Sequence, residues 1–396
     1  MPKEIRDRVH LEAMEQGYFL PGAALSTDTR LASRQYPQGP DDFRTAFQRD
    51  YTRIIHSRAF RRMRHKTQVF ISPRNDHLCT RLEHSLHVAS VATTIAQAMG
   101  LNEHLVQAIA VGHDLGHAPF GHKGEQVLQG IASSVELEFC HELQSLRVVD
   151  RLDSPYKDHV GLNLTFAVRD GIACHYGEGF ERELRPDREK EPESLATMGK
   201  KDRGVARPAT LEGCVVRWSD KIAYLGRDLE DALELKLISL GDVPEVVQDR
   251  LGLTNGAIIG SLISDLLKNS NEDCLSVSEE VHESLNALYK FNMERIYKSK
   301  QATSSFSQVS LAMTAMYEYI RLVIVSAQEK GDVESLLDAK GIRGTWTMAV
   351  LREFLEKDVR DWRTQKSEQL AIDYVAGMTD SFFVSAFTEL FFPKGV

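Results

Sequence analysis

Apolar residues recur every three or four positions along most of the chain, which is the spacing of one face of an α-helix. The stretch RLEHSLHVASVATTIAQAM, residues 81–99, has this spacing, as do LEDALELKLISL, VSEEVHESLNALYKFNMERIY and SLAMTAMYEYIRLVIVSAQEK. Gly100 stands where the first helix should end, and Asn102 can cap the next one. Alternating strand patterns are scarce, so we predict an all-α protein.

Two segments depart from the helical spacing. Residues 1–48 include LPGAALSTDTRLASRQYPQGPDD, an irregular stretch that we expect on the surface or in a subunit contact. Residues 177–213 are rich in charge, glycine and proline, and a loop of this length is usually functional or disordered. Because helical patterns resume directly afterwards, we interpret 177–213 as an insertion within one helical domain that spans 49–396.

The composition restricts the class of protein. The chain has 396 residues, 42% of them hydrophobic, and this length can bury a core without disulfide bonds. Its net charge of −9 gives no general reason to expect nucleic-acid binding. The five cysteines form no CxxC pair, as expected for buried thiols in a reducing compartment. With no signal-peptide core and no membrane-length apolar run, we predict a cytoplasmic protein without a membrane partner.

The segment AVGHDLGHAPFGH, residues 110–122, places three histidines and an aspartate beside an apolar run. Histidine is rarely fully buried, so this density indicates a use for the ring nitrogens. His84 lies in the preceding helical pattern, and a helix hairpin would bring it close to His113 and Asp114. Two imidazoles and a carboxylate suit a divalent metal with open positions for water and substrate.

A further carboxylate should complete such a site. Asp220, in RWSDKIAYLGRDLED, is the candidate because it follows an apolar CVV run and should head a helix. The chain has 57 acidic residues, so the sequence alone does not select this one. A single His-Asp pair is more often capped or solvated than bound to metal. The combination of EHS, HDLGH, a second Gly-His and SDK favours the metal.

These motifs resemble those of the HD-domain phosphohydrolases, and within them the deoxynucleoside triphosphate (dNTP) triphosphohydrolases called dGTPases. The matching blocks occur in the family's order and cover residues 42–235, namely RAFRRM, KTQVF, RLEHSLHVA, GHDLGHAPFGHKGE and SDKIAYLGRDLED. The resemblance implies an HD-domain helical fold with additional C-terminal helices. It implies one divalent cation, Mn²⁺ or Mg²⁺, with Fe²⁺, Ni²⁺ or Zn²⁺ as alternatives. The implied ligands of that cation are His84, His113, Asp114 and Asp220.

The resemblance also implies hydrolysis of dGTP, or of several dNTPs, to deoxynucleoside and tripolyphosphate. The deoxynucleoside 5′ oxygen is a poor leaving group unless an acid protonates it. His122 is the candidate acid, and Glu125, one helical turn further on, can hold its imidazole. His117 would face the metal and bind the α-phosphate. His141, in CHELQS, either joins this proton relay or is a surface or capping histidine.

Other family positions imply substrate contacts, each with an ordinary alternative. Arg81 and Lys221 flank the ligands and would bind phosphate, although most arginines and lysines are simply solvated. Gln68 and Asp228 would bind the 3′-hydroxyl, and Tyr224 would pack against the sugar. In the ordinary alternative, Gln68 and Tyr224 are helix-surface and core residues.

Two further positions bear on the sugar. Tyr297, in NMERIYKSK, loosely resembles a tyrosine that excludes a 2′-hydroxyl. The chain has Arg227-Asp228 where many bacterial relatives carry His-Asp, and this departure concerns the sugar side of the site more than the metal.

The glycines of the histidine-rich segment also require a reason. Gly112, Gly116 and Gly121 each lower helix stability by about 1 kcal/mol relative to alanine. They would let the backbone approach a ligand or a neighbouring helix closely. Pro119 would then force the turn that re-aims His122.

Two other functions stay open at this stage. Other HD phosphohydrolases cleave nucleotide 5′-monophosphates or phosphodiesters, although the RAFRRM and KTQVF blocks argue against them. The basic cluster Arg58, Arg61, Arg62, Arg64, His65 and Lys66 could instead hold single-stranded DNA or brace an effector nucleotide. The family resemblance further implies a homo-oligomer, a tetramer or a hexamer, and in some members a dNTP effector.

Overall fold

The computed structural model describes residues 5–68, 79–176, 180–202, 205–299, 304–333 and 345–392. Outside these ranges lie the Val69-Phe70 end of the KTQVF motif and residues 177–179 and 203–204 of the expected insertion. The helices of the first half are α1 (Arg8–Tyr18), α2 (Ala46–Ile55), α3 (Arg58–Arg62), α4 (Arg81–Met99), α5 (Glu103–Gly112), α6 (Gly121–Ser134), α7 (His141–Arg147), α8 (Phe166–Ala173) and α9 (Leu211–Glu234).

Helices also dominate the second half of the described chain. They are α10 (Glu245–Arg250), α11 (Asn255–Asn269), α12 (Glu279–Asn292), α13 (Phe306–Lys330), α14 (Trp346–Glu353), α15 (Ser367–Ala376) and α16 (Asp380–Phe391). Short π-helical stretches follow α7, α12 and α14, at Val148–Leu152, Met293–Tyr297 and Phe354–Asp358. Two-residue strands β1 (Glu183–Leu184) and β2 (Leu275–Ser276) pair antiparallel and are the only strands among the described residues. The all-α prediction is confirmed.

Local signals fix the boundaries of the α4–α5 hairpin. Gly100 ends α4 with a φ of 67°, a left-handed conformation that glycine adopts without steric cost. The Asn102 side chain accepts hydrogen bonds from the backbone N–H groups of His104 and Leu105 at the start of α5. Both boundaries agree with the prediction from sequence.

The expectation of an irregular segment over residues 1–48 is wrong at α1. The Asp7 side chain caps this helix by accepting a hydrogen bond from the His10 N–H. The only buried residue of α1 is Glu15, which accepts hydrogen bonds from the backbone and hydroxyl of Ser26. A polar residue thus anchors the helix, whereas its apolar residues Val9, Met14 and Tyr18 are exposed.

Helices α5 and α9 lie at the centre of the described fold. Helix α4 packs against α5 and α9, while α5 also contacts α2 and α8. Helix α9 is buried along most of its length, with Trp218 among the largest fully buried side chains. The described part of the 177–213 segment lies over this core, where Leu184 and Leu195 are buried. All five cysteines are buried and unpaired, as predicted.

The C-terminal helices cover the other side of the histidine-rich segment. Helix α13 packs against α6 and α15. By length and composition alone, it is the one described helix long and apolar enough to cross a membrane, and 39% of that stretch is buried inside the protein. By this criterion, α13 is an exception to the expectation that no apolar run reaches membrane length. A single helix of this kind is weak support for a membrane span, because core helices satisfy the same criterion.

Candidate active site

Three helical segments bring the first proposed ligands together. His84 lies in the first turn of α4, His113 directly follows α5, and Asp220 lies on α9. Asp220 does not head its helix as expected, because the Thr210 side chain caps α9 much earlier, by accepting from the Gly213 N–H. The central position of Asp220 in α9 carries its carboxylate to the α4–α5 hairpin.

The distances between these donors suit a shared cation. Asp220 Oδ1 lies 2.9 Å from His84 Nε2 and 3.7 Å from His113 Nε2, and Asp114 Oδ1 lies 3.4 Å from His113 Nε2. Two ligands about 2.1 Å from one ion stand about 3.0 to 3.4 Å apart in octahedral or tetrahedral arrangements. His84, His113 and Asp220 form one compact group, whereas Asp114 groups with His113 and His175 beside it.

The state of His113 provides the test of fit. Its Nδ1–H donates to the Ala110 carbonyl oxygen at 2.7 Å, which leaves the lone pair on Nε2. That Nε2 is buried and has no hydrogen-bond partner among the described residues. A buried nitrogen lone pair next to two carboxylates is costly unless something binds it. The donor set therefore fits one divalent ion.

Arg81 is buried beside Asp114. Its Nη1 donates to Asp114 Oδ2 at 2.8 Å, while Nε and Nη2 have no hydrogen-bond partner in the described part of the chain. The solvated alternative for Arg81 is therefore wrong. Burial opposes a charge on Asp114, but His113, His117 and Arg81 hold the pKa of Asp114 well below its ordinary value. Arg81 keeps two donors available to a ligand.

A second polar cluster adjoins the first. His117 Nε2 lies 3.0 Å from Asp114 Oδ1, and its ring stacks on the His141 ring at 3.9 Å between centroids. His141 Nδ1 lies 3.0 and 3.1 Å from the two oxygens of Glu125. The side chain of His141 is only 11% exposed, so the surface alternative for this residue is wrong. Sequence reasoning missed His175, whose Nε2 lies 3.2 Å from His141 Nε2.

The two clusters contain both charged and neutral imidazoles. Burial opposes protonation of His141, yet the Glu125 and Glu142 carboxylates raise its pKa to about 9. Burial, followed by the charge of neighbouring groups, lowers the pKa of His117 well below its usual value and that of His175 to about 4. The arrangement thus pairs one cationic ring, His141, with two neutral rings in contact with it.

His122 lies at the solvent side of this cluster. Its side chain is 67% exposed, and its Nδ1 is 3.6 Å from Glu125 Oε2. Glu125 therefore holds His141 more closely than the His122 that it was expected to hold. The chain turns towards His122 through two left-handed residues, Phe120 at φ 66° and Gly121 at φ 60°, directly after the predicted turn at Pro119.

A cleft of about 370 Å³ opens onto both clusters, a volume within the range of small-molecule sites. The four residues that the resemblance implies as sugar contacts line it, namely Gln68, Tyr224, Asp228 and Tyr297. Tyr297 donates a hydrogen bond of 2.5 Å to Asp228 Oδ2. Burial raises the pKa of Asp228 to about 7, against the effect of that hydrogen bond. Sequence reasoning missed five other lining residues, namely Gln126, Gln129, Tyr176, Tyr289 and Met293.

Lys221 is placed differently from the expectation. It is buried, with its Nζ 5.0 Å from the Phe180 ring centroid and 5.5 Å from that of Trp218. It is not among the described residues that line the cleft. Burial lowers the pKa of Lys221 to about 7. The structure therefore supports neither a direct phosphate contact nor a solvated surface position for Lys221.

Comparison with known proteins identifies the family of this chain. The family described as HD domain matches residues 81–225, a range that contains His84, His113, Asp114 and Asp220. Three similar proteins each carry the name deoxyguanosinetriphosphate triphosphohydrolase-like protein. The one from Caldanaerobacter subterraneus subsp. tengcongensis is 37% identical over 384 residues, covering 97% of this chain and 95% of the relative.

The other two similarities are equally extensive. The protein from Desulfatibacillum aliphaticivorans is 36% identical over 390 residues, which is 98% of each chain. The protein from Clostridium tetani is 32% identical over 393 residues, covering 98% of this chain and 97% of the relative. The chain belongs to the HD-domain phosphohydrolases, in the family of deoxyguanosinetriphosphate triphosphohydrolase-like proteins.

Proposed function

We propose that this protein is a metal-dependent hydrolase that converts dNTPs to deoxynucleosides and tripolyphosphate. One observation carries the proposal: the metal-fitting residues and a set of tyrosines line one cleft. His84, Asp114, Asp220 and Arg81 line it together with Tyr224, Tyr289 and Tyr297. An ionic triphosphate and an amphipathic nucleoside need these two environments side by side.

The phosphate end has its own cationic groups. The two unpartnered donors of Arg81 and the imidazolium of His141 can stabilise negative charge that spreads over the phosphate oxygens. His117 lines the cleft with its Nε2 3.0 Å from Asp114 Oδ1, so it would donate to the α-phosphate only once its Nδ1 is protonated, which the negative charge of a bound phosphate favours. A divalent ion, when bound by His84, His113, Asp114 and Asp220, supplies Lewis-acid polarisation of the phosphate and a more acidic water.

The residue that protonates the leaving group lies on the exposed side of the cluster. His122 lines the cleft and meets solvent, so its ring can take up a proton and deliver it to the 5′ oxygen. Glu125, 3.6 Å from the His122 ring, stabilises the protonated ring. His141 shares that carboxylate and completes a relay towards the buried histidines.

The residues implied for the sugar carry hydrogen-bonding groups. Asp228 and Tyr297 are hydrogen-bonded to each other and line the cleft together with Gln68. A sugar 3′-hydroxyl can donate to one such group and accept from another, and Tyr224 offers a ring to the sugar face. The tightly held Tyr297 hydroxyl is suited to excluding a 2′-hydroxyl, since it cannot move without breaking its bond to Asp228.

The test is product analysis. The purified protein is incubated with dGTP and Mn²⁺, and the products are separated by ion-exchange chromatography. We expect deoxyguanosine and tripolyphosphate in equal amounts, whereas dGMP with pyrophosphate would contradict the proposal. Asp220→Asn should abolish turnover. Asp249→Asn, the same change at an exposed aspartate of α10, should leave it unchanged.

A dNTP panel extends the test. Single dNTPs and mixtures, each with Mg²⁺ and with Mn²⁺, distinguish dGTP from a broader substrate range and reveal any dNTP effector. Turnover of deoxynucleoside monophosphates without turnover of dNTPs would instead favour another HD phosphohydrolase. Light scattering in the same buffers measures whether the chain forms the expected tetramer or hexamer.

The single-stranded DNA alternative loses part of its basis. Lys66 is buried, and its Nζ donates to the backbone carbonyls of His117 and Ala376. Arg58 lies 3.3 Å from Asp358 and 3.5 Å from Glu353. The basic cluster is therefore not one exposed patch, and no specific observation favours this function over hydrolysis.

A further inference from the structure

The ring of His175 has a fixed orientation at the end of α8. Its Nδ1 lies 2.6 Å from the carbonyl oxygen of Ile172. A carbonyl oxygen can only accept a hydrogen bond, so Nδ1 carries a proton. In the neutral ring, Nε2 then has a lone pair and can only accept. The proton between His175 Nε2 and His141 Nε2, which are 3.2 Å apart, therefore belongs to His141.

The other nitrogen of His141 faces a carboxylate. Both oxygens of Glu125 lie within 3.1 Å of His141 Nδ1, and an ionised carboxylate is purely an acceptor. Nδ1 therefore carries a proton as well. With both nitrogens protonated, His141 is an imidazolium that donates to Glu125 on one side and to His175 on the other.

We infer that His175 is a positioning residue, which accepts a hydrogen bond from His141 Nε2 and fixes the His141 imidazolium against His117 and the cleft. This inference rests on the proposed function, since it assigns His141 a role in dNTP hydrolysis. Without the acceptor on His175, the His141 ring would keep one hydrogen bond and could rotate about its side-chain bonds. The charge would then no longer be directed at the phosphate end.

Few other groups near His141 could accept a hydrogen bond from its Nε2. The titratable groups that face it are Glu125 from α6, Glu142 from its own helix, His117 and Asp114 from the HDLGH segment, and His175. Of these, the two glutamates have carboxylate oxygens 3.0 and 3.6 Å from His141 Nδ1, and His117 stacks on the ring face. Among the described residues, His175 is the hydrogen-bond partner at Nε2.

A metal-binding role for His175 fits the geometry less well. His175 belongs to a group with His113 and Asp114 that is compact enough to hold an ion. Both of its nitrogens are already engaged, however, one by the Ile172 carbonyl and the other by His141. His113 Nε2, in contrast, has no hydrogen-bond partner in the described chain. The free donor of the pair thus lies on His113.

Two substitutions at position 175 separate the acceptor from the bulk of the ring. His175→Leu fills the space without an acceptor, whereas His175→Gln can place its Oε1 near the former Nε2 position. His159, a buried histidine that stacks on Tyr36 and does not line the cleft, provides matched controls as His159→Leu and His159→Gln. Each protein is compared with wild type by thermal melting, steady-state kinetics with dGTP and Mn²⁺, and ¹⁵N-histidine NMR.

We expect His175→Leu to lower kcat at least about tenfold with little change in KM, because a hydrogen bond to a charged group is lost. His175→Gln should recover most of that loss, and both His159 variants should retain the wild-type kcat. In the NMR spectra, the pKa of His141 should fall in His175→Leu and recover in His175→Gln, because an acceptor at Nε2 favours the protonated ring.

Three results would overturn the inference. These are an unchanged kcat in His175→Leu, equal losses in the Leu and Gln variants, and a wild-type spectrum in which His141 carries one proton at pH 7. If His175→Leu fails to fold, the wild-type spectrum and the Gln variant still decide. The NMR needs no substrate, so it stands apart from the proposed function, whose failure would appear as absence of tripolyphosphate from wild type.

Discussion

Gly116 lies where the HDLGH segment meets the start of α7, and replacing it with alanine tests how the two clusters are held together. A Cβ built on Gly116 would stand 2.7 Å from the carbonyl oxygen of His141, and closer still to backbone atoms of Gln144 and Ser145. Real Cβ atoms almost never approach other heavy atoms within 3.0 Å. These neighbours are backbone atoms, so no side chain can rotate away to relieve the clash.

The magnitude follows from the movement that the alanine forces. We expect α7 to retreat by about 1 Å, and a misplacement of that size costs about 100-fold in catalytic rate. Overpacking of a tight site costs about 3 kcal/mol of the free energy of unfolding. Unfolding of a chain this long carries about 0.8 kcal/mol of entropy per kelvin, so the melting temperature should fall by about 4 °C. His141 would move away from His117 in the process.

The assay combines thermal melting with steady-state kinetics for Gly116→Ala and a control. Gly130, in α6, has no described atom within 4 Å of its would-be Cβ. Gly130→Ala should therefore stabilise the helix by about 1 kcal/mol and raise the melting temperature by about 1 °C, with kcat unchanged. If Gly116→Ala retains both kcat and melting temperature while Gly130→Ala behaves as expected, the close approach of the two segments is refuted.

Three further outcomes are expected. In calorimetry, Asp220→Asn should lose Mn²⁺ binding. His122→Ala should still bind Mn²⁺ but lose most of kcat. Loss of Mn²⁺ binding in His122→Ala would show that the two roles are misassigned. Because the folded state raises the pKa of His141 from 6.5 to about 9, its stabilisation is complete below pH 6.5 and is lost as the pH rises through 9. The melting temperature should decline over that range in wild type and less in His141→Gln, and equal slopes would contradict the charge assignment. Lys66→Met leaves two buried carbonyls without their donor and should lower the melting temperature by about 2 to 4 °C, whereas the exposed Arg64→Met should not.

Sequence predicts the parts of this structure that depend on neighbouring residues. The α4–α5 hairpin follows from Gly100 and Asn102, whose local conformations end one helix and cap the next. The meeting of His84 with His113 follows from that hairpin. Asp220 is distant in sequence, and only the family motif selected it among the acidic residues. Its position in the middle of α9 depends on the Thr210 cap, which the apolar CVV run does not predict.

His175 shows why the remainder of the site escaped prediction. It follows the apolar helix FAVRDGIA, where a single histidine looks like an ordinary helix end. Its partner His141 lies at the start of α7, and only the packing of α7 on α8 brings the two rings within hydrogen-bond distance. The sequence does contain one signal, because His175 stands just before the long 177–213 segment. Periodicity alone does not show which residue His175 contacts.

The C-terminal helices take part in the site although their sequences carry weak signatures. Phe120 adopts a left-handed conformation that costs a bulky residue about 1 to 2 kcal/mol. Its N–H donates to Asp380 Oδ1 at 2.9 Å, and Thr67 donates to the other oxygen of the same carboxylate at 2.7 Å. A hydrogen bond to a charged group contributes about 1.5 to 3 kcal/mol, enough to offset the strain.

The turn that aims His122 therefore depends on Asp380, at the start of α16, more than 250 residues away along the chain. Lys66 adds a second tie, because its buried Nζ joins the His117 carbonyl to that of Ala376 at the end of α15. The HD match ends at residue 225, whereas similarity to the relatives extends over 97% of the chain or more in the three cases compared. That difference has a physical basis, since the proposed ligands lie within the HD segment but the strained turn beside them is held in place by the last two described helices.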